Sequence, residues 1–183
     1  MKILSTPISD LVVAKTSPIT DARGAFSRLY CENELAPLIG NRRIIQVNHS
    51  RSAKVGALRG MHFQKSPHAE MKFVRCIKGE VWDVAVDLRK GSSTFLHWHA
   101  AKLSSSNMYM MVIPEGFAHG FQVLEAESEL LYLHTAPFFP EAEGGLHYRD
   151  PLLAIDWPLP VTDLSFRDDK RAHLKEDFHG ITL

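Results

Sequence analysis

Most of what this chain lacks removes a class of function. Cysteine is scarce: Cys31 and Cys76 are the two present in 183 residues, and they form no CxxC pair. That argues against a structural zinc site, and a chain of this size has no need of a disulfide framework. Net charge is absent, with 21 Lys and Arg against 21 Asp and Glu, and no basic block stands out. A general nucleic-acid binder is therefore disfavoured, although local cationic patches remain open. No apolar run approaches the length of a membrane span. The opening MKILSTPISDLVVAK is too broken by Thr6, Pro7, Ser9 and Asp10 to be a signal core, so a cytoplasmic location is expected. Repeats, low-complexity tracts and linkers are missing too, and the expectation is one domain over 1–183.

What is present reads as β-structure. Apolar residues make up 45% and charged residues 23%, the balance of an ordinary globular protein. VWDVAVDL, residues 81–88, alternates: Trp82, Val84, Val86 and Leu88 share one face, and Asp83 and Asp87 the other. Residues 108–113, 119–124 and 130–135 are further short strand candidates, punctuated by Pro114-Glu115-Gly116, Lys78-Gly79 and Lys90-Gly91. Short strands at roughly ten-residue spacing point to a sandwich or barrel. Helix is sparse. Residues 32–39 can give two turns interrupted by Pro37. From Ser165, FRDDKRAHLKEDF predicts a C-terminal helix with Ser165 as N-cap and Asp168 at the third position, as in a capping box.

RGMHFQ, residues 59–64, carries the most chemistry. It sets His62 in an apolar stretch, with Arg59 three residues before and Lys72 ten after. PEGFAHGF adds His119 and LLYLHT adds Tyr132, with His134 on the same face of that strand as Tyr132. A base, two cations, a second imidazole and a phenol together could deprotonate carbon beside a ketone and reprotonate it elsewhere, without metal or redox cofactor. On a regular strand Arg59 and His62 point to opposite faces. Their convergence requires an irregular backbone, for which Gly60 is the candidate bulge.

Each residue also has a plain structural reading. A lone His at a strand end more often serves the surface or a satisfied core, a Tyr among leucines is usually core, and Asp168 can simply cap a helix. Pro114, Gly116 and His119 match the PxGxxH half of a cupin metal site. The HxH of the other half is missing around His62, and His97-Trp98-His99 falls in an expected turn, so a metal site is disfavoured.

At these residues the chain resembles the dTDP-4-dehydrorhamnose 3,5-epimerase family. The likeness runs through DARGAF at 21–26, QVNHS at 46–50, LRGMHFQ at 58–64, KFVRCIKGEVWDVAVDLRKGS at 72–92, IPEGFAHGF at 113–121, LLY at 130–132 and IDWP at 155–158. The resemblance implies a mainly β, cupin-type jelly roll, dimeric and without a metal or other cofactor, acting on a nucleotide-linked 4-keto-6-deoxy sugar. It implies His62 as general base, Tyr132 as general acid, Asp168 orienting His62, and Lys72 holding the C4 carbonyl oxygen. Arg59 and His119 would line the sugar and diphosphate pocket. Arg23, Gln46, Asn48, Glu143 and Arg167 would hold the nucleotide, with Arg23 reaching a partner subunit on an N-terminal arm.

Two departures bear on substrate choice. Phe138 stands where the family commonly has a second pocket tyrosine. Arg28 replaces an acidic residue near the nucleotide, reversing hydrogen-bond polarity there. These leave open a 3-only or 5-only epimerase, a GDP- or CDP-linked substrate, and a non-catalytic sugar-nucleotide-binding cupin.

Overall fold

The computed structural model describes all 183 residues and is mainly β. Its N-terminal part contains β1 (Lys2–Ser5), β2 (Val12–Lys15), the hairpin β3 (Ile19–Asp21) and β4 (Gly24–Phe26), and helix α1 (Glu32–Ile39). Eight longer strands follow: β5 (Gln46–Ser52), β6 (Ala57–Gln64), β7 (Lys72–Lys78), β8 (Glu80–Asp87), β9 (Trp98–Ser104), β10 (Tyr109–Ile113), β11 (Phe117–Val123) and β12 (Ser128–His134). Short β13 (Glu143–Gly145), β14 (Asp163–Leu164) and α2 (Phe166–Asp169) complete the chain.

One sheet has the order β1-β2-β10-β7-β12-β5. The other runs β13-β6-β11-β8-β9, with β14 added parallel to β6. The two sheets form the expected jelly-roll sandwich, with sequence neighbours repeatedly placed on opposite sheets.

Three apolar layers hold it. Between the sheets lie Val74, Met111, Ile113 and Leu130 from one and Ala85, Leu103, Phe121 and Val123 from the other. On the outer face of the first sheet, α1 docks Leu35 and Ile39 against Phe73, Met110 and Val112. On the outer face of the second, Met61, Val84, Val86 and Leu88 are covered by Leu146 and Leu153, with Leu174, Phe178 and Ile181 of the C-terminal segment packed against them. Both faces of both sheets are thus dry in places. That is why 108–113 reads as a continuous apolar run rather than an alternation.

The two faces of β8 are a case in point. Val84, Val86 and Leu88 face the C-terminal segment, whereas Asp83 and Asp87, fully buried, share the inward face with Val81 and Ala85. Asp87 is satisfied by Arg89, Ser92 and Thr94.

Three expectations need correction. The C-terminal helix is four residues long, not thirteen. Ser165 does cap it, its Oγ accepting from the Asp168 N–H at 3.0 Å, but beyond Asp169 the chain is drawn along the second sheet. Ala172 O accepts from His147 N–H, and Ile181 N–H donates to Leu88 O. A short polar helix is marginal by itself, so these tertiary bonds and the partial burial of Leu174, Phe178 and Ile181 outweigh it. Helix α1 runs unbroken through Pro37, because the carbonyl deprived of its partner belongs to exposed Asn33, which water can reach. His99 lies within β9 rather than in a turn.

At Gly60 the register between β6 and β11 shifts: His62 pairs with His119, yet Arg59 pairs with Phe121. Gly60 has φ +129°, and a Cβ there would stand 2.5 Å from the Cα of Gly120. The Gly60→Ala substitution is therefore expected to cost on the order of 3 kcal/mol, from backbone strain and overpacking together. Urea unfolding measures this, and a loss under about 0.5 kcal/mol, the size of an ordinary surface change, would refute it.

Candidate active site

The sheets part at one end of the sandwich around a cavity of about 600 Å³. The first sheet contributes Asn48 and Ser50 from β5, Lys72 from β7, and Tyr132 and His134 from β12. The second contributes Arg59 and His62 from β6 and His119 from β11. Inward-facing positions that elsewhere hold Val and Leu are polar here, which is how one alternating pattern can supply both core and cavity.

The irregularity at Gly60 brings Arg59 and His62 into this cavity despite their opposite parity. Arg59 Nε donates to Ser52 Oγ at 3.1 Å. His62 Nε2 is 2.6 Å from Asp168 Oδ1, and the other oxygen of Asp168 faces the Gly60 N–H at 3.5 Å. With Ser165 capping α2, the Asp168 carboxylate is committed to His62 rather than to a capping box. Burial raises its carboxyl, but the hydrogen bond and charge of His62, with help from Ser165 and Gly60, more than offset this and leave it below the usual range. The carboxylate accepts the hydrogen on His62 Nε2, which in the neutral form of the ring leaves the lone pair on Nδ1.

Tyr132 comes from the opposite sheet and pairs in register with Asn48. Burial drives its phenol well above the ordinary value, against the opposing Ser50 hydroxyl, whose Oγ lies 3.5 Å from it. It therefore stays protonated and is suited to act as a proton donor. His119 Nε2 sits 2.7 Å from Asp83 Oδ1, both buried. Complete burial pushes the Asp83 carboxyl up, against the pull of His119 and Lys72. Lys72 Nζ lies 3.1 Å from Glu70 Oε1.

The other residues named from sequence divide by position. Phe138, Glu143 and Arg167 line the cavity, and Glu143 holds Arg167 at 2.8 Å. Gln46 stands at the rim: its Nε2 donates to Asn48 Oδ1 at 3.2 Å, and its Oε1 accepts from the Phe138 N–H at 3.0 Å. Arg23 and Arg28 lie outside their own chain's cavity. Arg23 is exposed on the β3–β4 hairpin beside Asp21, and Arg28 pairs with Glu34 at 2.6 Å. No three His, Cys, Asp or Glu side chains converge as metal ligands would.

Sequence reasoning missed Glu70, Ser50 and the pairing of Asp83. Glu70 precedes β7, where a strand reading starts too late. Asp83 was visible only as the polar face of an alternating strand. Its parity with the inward-facing residues of β8 becomes informative once the sandwich is known.

An imidazole oriented by a carboxylate on one sheet, with a protonated phenol on the other, is an arrangement for moving protons, and the architecture is that of cupin-type enzymes. Comparison with known proteins narrows the class. The family model described as dTDP-4-dehydrorhamnose 3,5-epimerase matches residues 5–176. The protein of that name from Salmonella typhimurium is 41% identical over 92% of each chain. A Neisseria gonorrhoeae relative of the same name is 43% identical over 90% of this chain, which spans about half (49%) of that longer protein. A crystal structure of dTDP-6-deoxy-D-glucose-3,5-epimerase from Legionella pneumophila in complex with dTDP-4-keto-L-rhamnose superposes with a TM-score of 0.89 at 41% identity, covering 94% of this chain and 92% of the other. A Streptomyces niveus relative, 40% identical over 85% of this chain and 75% of its own, is named dTDP-4-dehydrorhamnose 3-epimerase. The chain belongs to the dTDP-4-dehydrorhamnose 3,5-epimerase family and is an isomerase-class enzyme.

Because its folded-state carboxyl lies below the unfolded value of about 3.9, Asp168 adds stability above roughly pH 4, and that contribution is lost as pH falls through the depressed value. Asp168→Asn is expected to be about 1–3 kcal/mol less stable than the unmodified protein at pH 7. The gap should close progressively below pH 4 in urea unfolding at a series of pH values, and a gap constant from pH 7 to pH 3 would contradict the assignment.

Proposed function

We propose that the protein epimerises a nucleotide-diphospho-4-keto-6-deoxy sugar, of the dTDP-4-dehydro-6-deoxyglucose type, at C3 and C5. The observation that carries this reading is His62 on one sheet, paired with Asp168 of α2, with Tyr132 and Lys72 on the other sheet around one cavity. The names of the relatives support the substrate class.

His62 Nδ1 takes the proton from the carbon beside C4. The C–H electron pair moves into the C–C bond, and the carbonyl oxygen becomes an enolate oxygen. That charge falls to the Lys72 ammonium, preorganised in a site shielded from bulk water, where a cation is worth most. Tyr132 then gives its phenolic proton to the opposite face of the same carbon. The tyrosinate regains a proton, and His62 loses the one it took, by exchange with solvent. C3 and C5 both flank C4, so one cation serves two inversions. Asp168 fixes the tautomer and raises the basicity of His62. Arg59 and His119 line the sugar and diphosphate region. Asn48, Gln46, Glu143 and Arg167 hold the nucleotide.

The protein acts in this reading as a homodimer. The β3–β4 hairpin exposes Ile19 and Phe26 with Arg23 near its tip, outside its own cavity. A partner subunit would receive that arm, and Arg28 would approach the nucleotide with it. No helix is long and apolar enough to cross a membrane.

Phe138 lines the cavity without a hydroxyl, and a relative is named for a 3-epimerase. Inversion at C3 alone is therefore the second reading. In deuterium oxide, incorporation at both C3 and C5 of dTDP-4-keto-6-deoxyglucose supports the first, and incorporation confined to C3 the second. Absence of exchange with dTDP-, GDP- and CDP-linked sugars, together with tight nucleotide binding, would leave a binding cupin. His62→Ala should abolish exchange, whereas Tyr132→Phe should lower inversion roughly 100-fold or more and slow proton removal less.

A further inference from the structure

Two buried side chains in the cavity, Glu70 and His134, are unused by this mechanism. Glu70 reaches Lys72 Nζ with one oxygen at 3.1 Å and His134 Nδ1 with the other at 2.6 Å. All three side chains are nearly buried, at 8%, 11% and 10% exposure. A pair of hydrogen bonds between Met71 and Thr135 holds the two segments together: the Met71 N–H donates to Thr135 Oγ1 at 2.9 Å, and the Thr135 N–H to Met71 O at 3.1 Å. Glu70 and His134 meet because of that tie, although 64 residues separate them in the chain.

The hydrogen bonds have a direction. Gln46 Nε2 donates to Asn48 Oδ1, and Asn48 Nδ2 faces His134 Nε2 at 3.3 Å. The imidazole then carries its hydrogen on Nδ1 and donates it to Glu70. The line of bonds thus runs from the rim of the cavity through His134 and Glu70 to Lys72. The His134 ring also lies nearly parallel to Tyr132, 18° apart with centroids 6.1 Å distant.

A buried ammonium without a counter-charge is costly, and a lysine side chain has four carbons in which to swing away. One carboxylate oxygen on Nζ supplies the counter-charge and direction while leaving two N–H donors for a substrate oxygen. Burial raises the Glu70 carboxyl, but the hydrogen bond from His134 and the charge of Lys72 outweigh it, so Glu70 is ionised in the folded chain.

We propose that Glu70 and His134 are positioning residues: His134 orients the Glu70 carboxylate, and Glu70 fixes the Lys72 ammonium where the C4 oxygen of the keto sugar acquires its negative charge. This rests on the epimerase reading above. Neither residue need touch the reacting carbons. Their removal should therefore act on the transition state more than on substrate capture, since small displacements of a group that stabilises developing charge cost rate steeply.

The test is deuterium incorporation into dTDP-4-keto-6-deoxyglucose by the full-length protein and the variants Glu70→Gln, His134→Ala and His134→Asn, with dTDP affinity measured by calorimetry in parallel. Glu70→Gln and His134→Ala should lower kcat for exchange roughly 10- to 100-fold, with KM and the dTDP Kd within about threefold of the unmodified protein. His134→Asn, whose amide N–H can replace the Nδ1 donor, should recover most of the rate. The two sites of substitution keep the test open if one variant fails to fold. An unchanged kcat in folded Glu70→Gln or His134→Ala, or a rise confined to KM, overturns the positioning role alone. Equal losses in His134→Ala and His134→Asn overturn it in favour of a direct role for the imidazole. Absence of exchange by the unmodified protein on dTDP-, GDP-, CDP- and UDP-linked keto sugars overturns the epimerase reading, and the positioning role with it.

Discussion

Gly60 and Gly120 lie so close across β6 and β11 that neither tolerates a Cβ, which would meet backbone or Met61 Sδ at 2.5–2.6 Å. This contact displaces the register by one residue, and much of the cavity depends on that displacement. It turns Arg59 and His62 toward the same space and leaves the Gly60 N–H facing the carboxylate that orients His62. A regular ladder at this point would put one of the two on the opposite face, against Met61, Leu146 and the C-terminal segment. The short helix α2 is the other half of the arrangement, for Ser165 satisfies the Asp168 N–H and frees its carboxylate to face His62.

Within the cavity the same device recurs three times. His62 has Asp168, His119 has Asp83, and His134 has Glu70, each at 2.6–2.7 Å. A buried carboxylate without a partner would be driven to its neutral form, and a buried imidazole would lose a defined tautomer. Pairing satisfies both groups at once, but the three pairs differ in surroundings. Asp83 is sealed in and pushed upward, whereas Asp168 and Glu70 are held down by what surrounds them. Carboxylates of different acidity are thereby set around one small volume.

The enclosing layers explain why such a polar interior is sustainable. Leu35 and Ile39 of α1 cover one sheet from outside, and the C-terminal segment covers the other. Apolar burial on the outer faces and between the sheets supplies cohesion away from the cavity mouth, so inward positions there are released from packing. Residues that alternate as core farther along the same strands become cavity wall. Strands such as β7 carry Val74 and Cys76 in the core and Lys72 in the cavity on one face.

The amino-acid sequence by itself determined the β-rich class, the strands near 81–88, 108–113, 119–124 and 130–135, the Ser165 cap and the residue types of the cavity, because alternation, turn residues and capping are local and leave periodic marks. Family motifs such as LRGMHFQ and IPEGFAHGF added His62, Arg59 and His119 as candidates, and all three line the cavity. Local pattern misjudged the tail after Asp169, where hydrogen bonds to 147–150 and Leu88 and three partly buried apolar side chains override a modest helical preference. It also could not see Glu70 meet His134 across 64 residues, or Asp83 turn inward to His119. Those pairings depend on which strands face one another and by how much their registers shift. Only the closed tertiary structure decided them, because the free energy of a buried charge is set by what surrounds it in space, not by its neighbours along the chain.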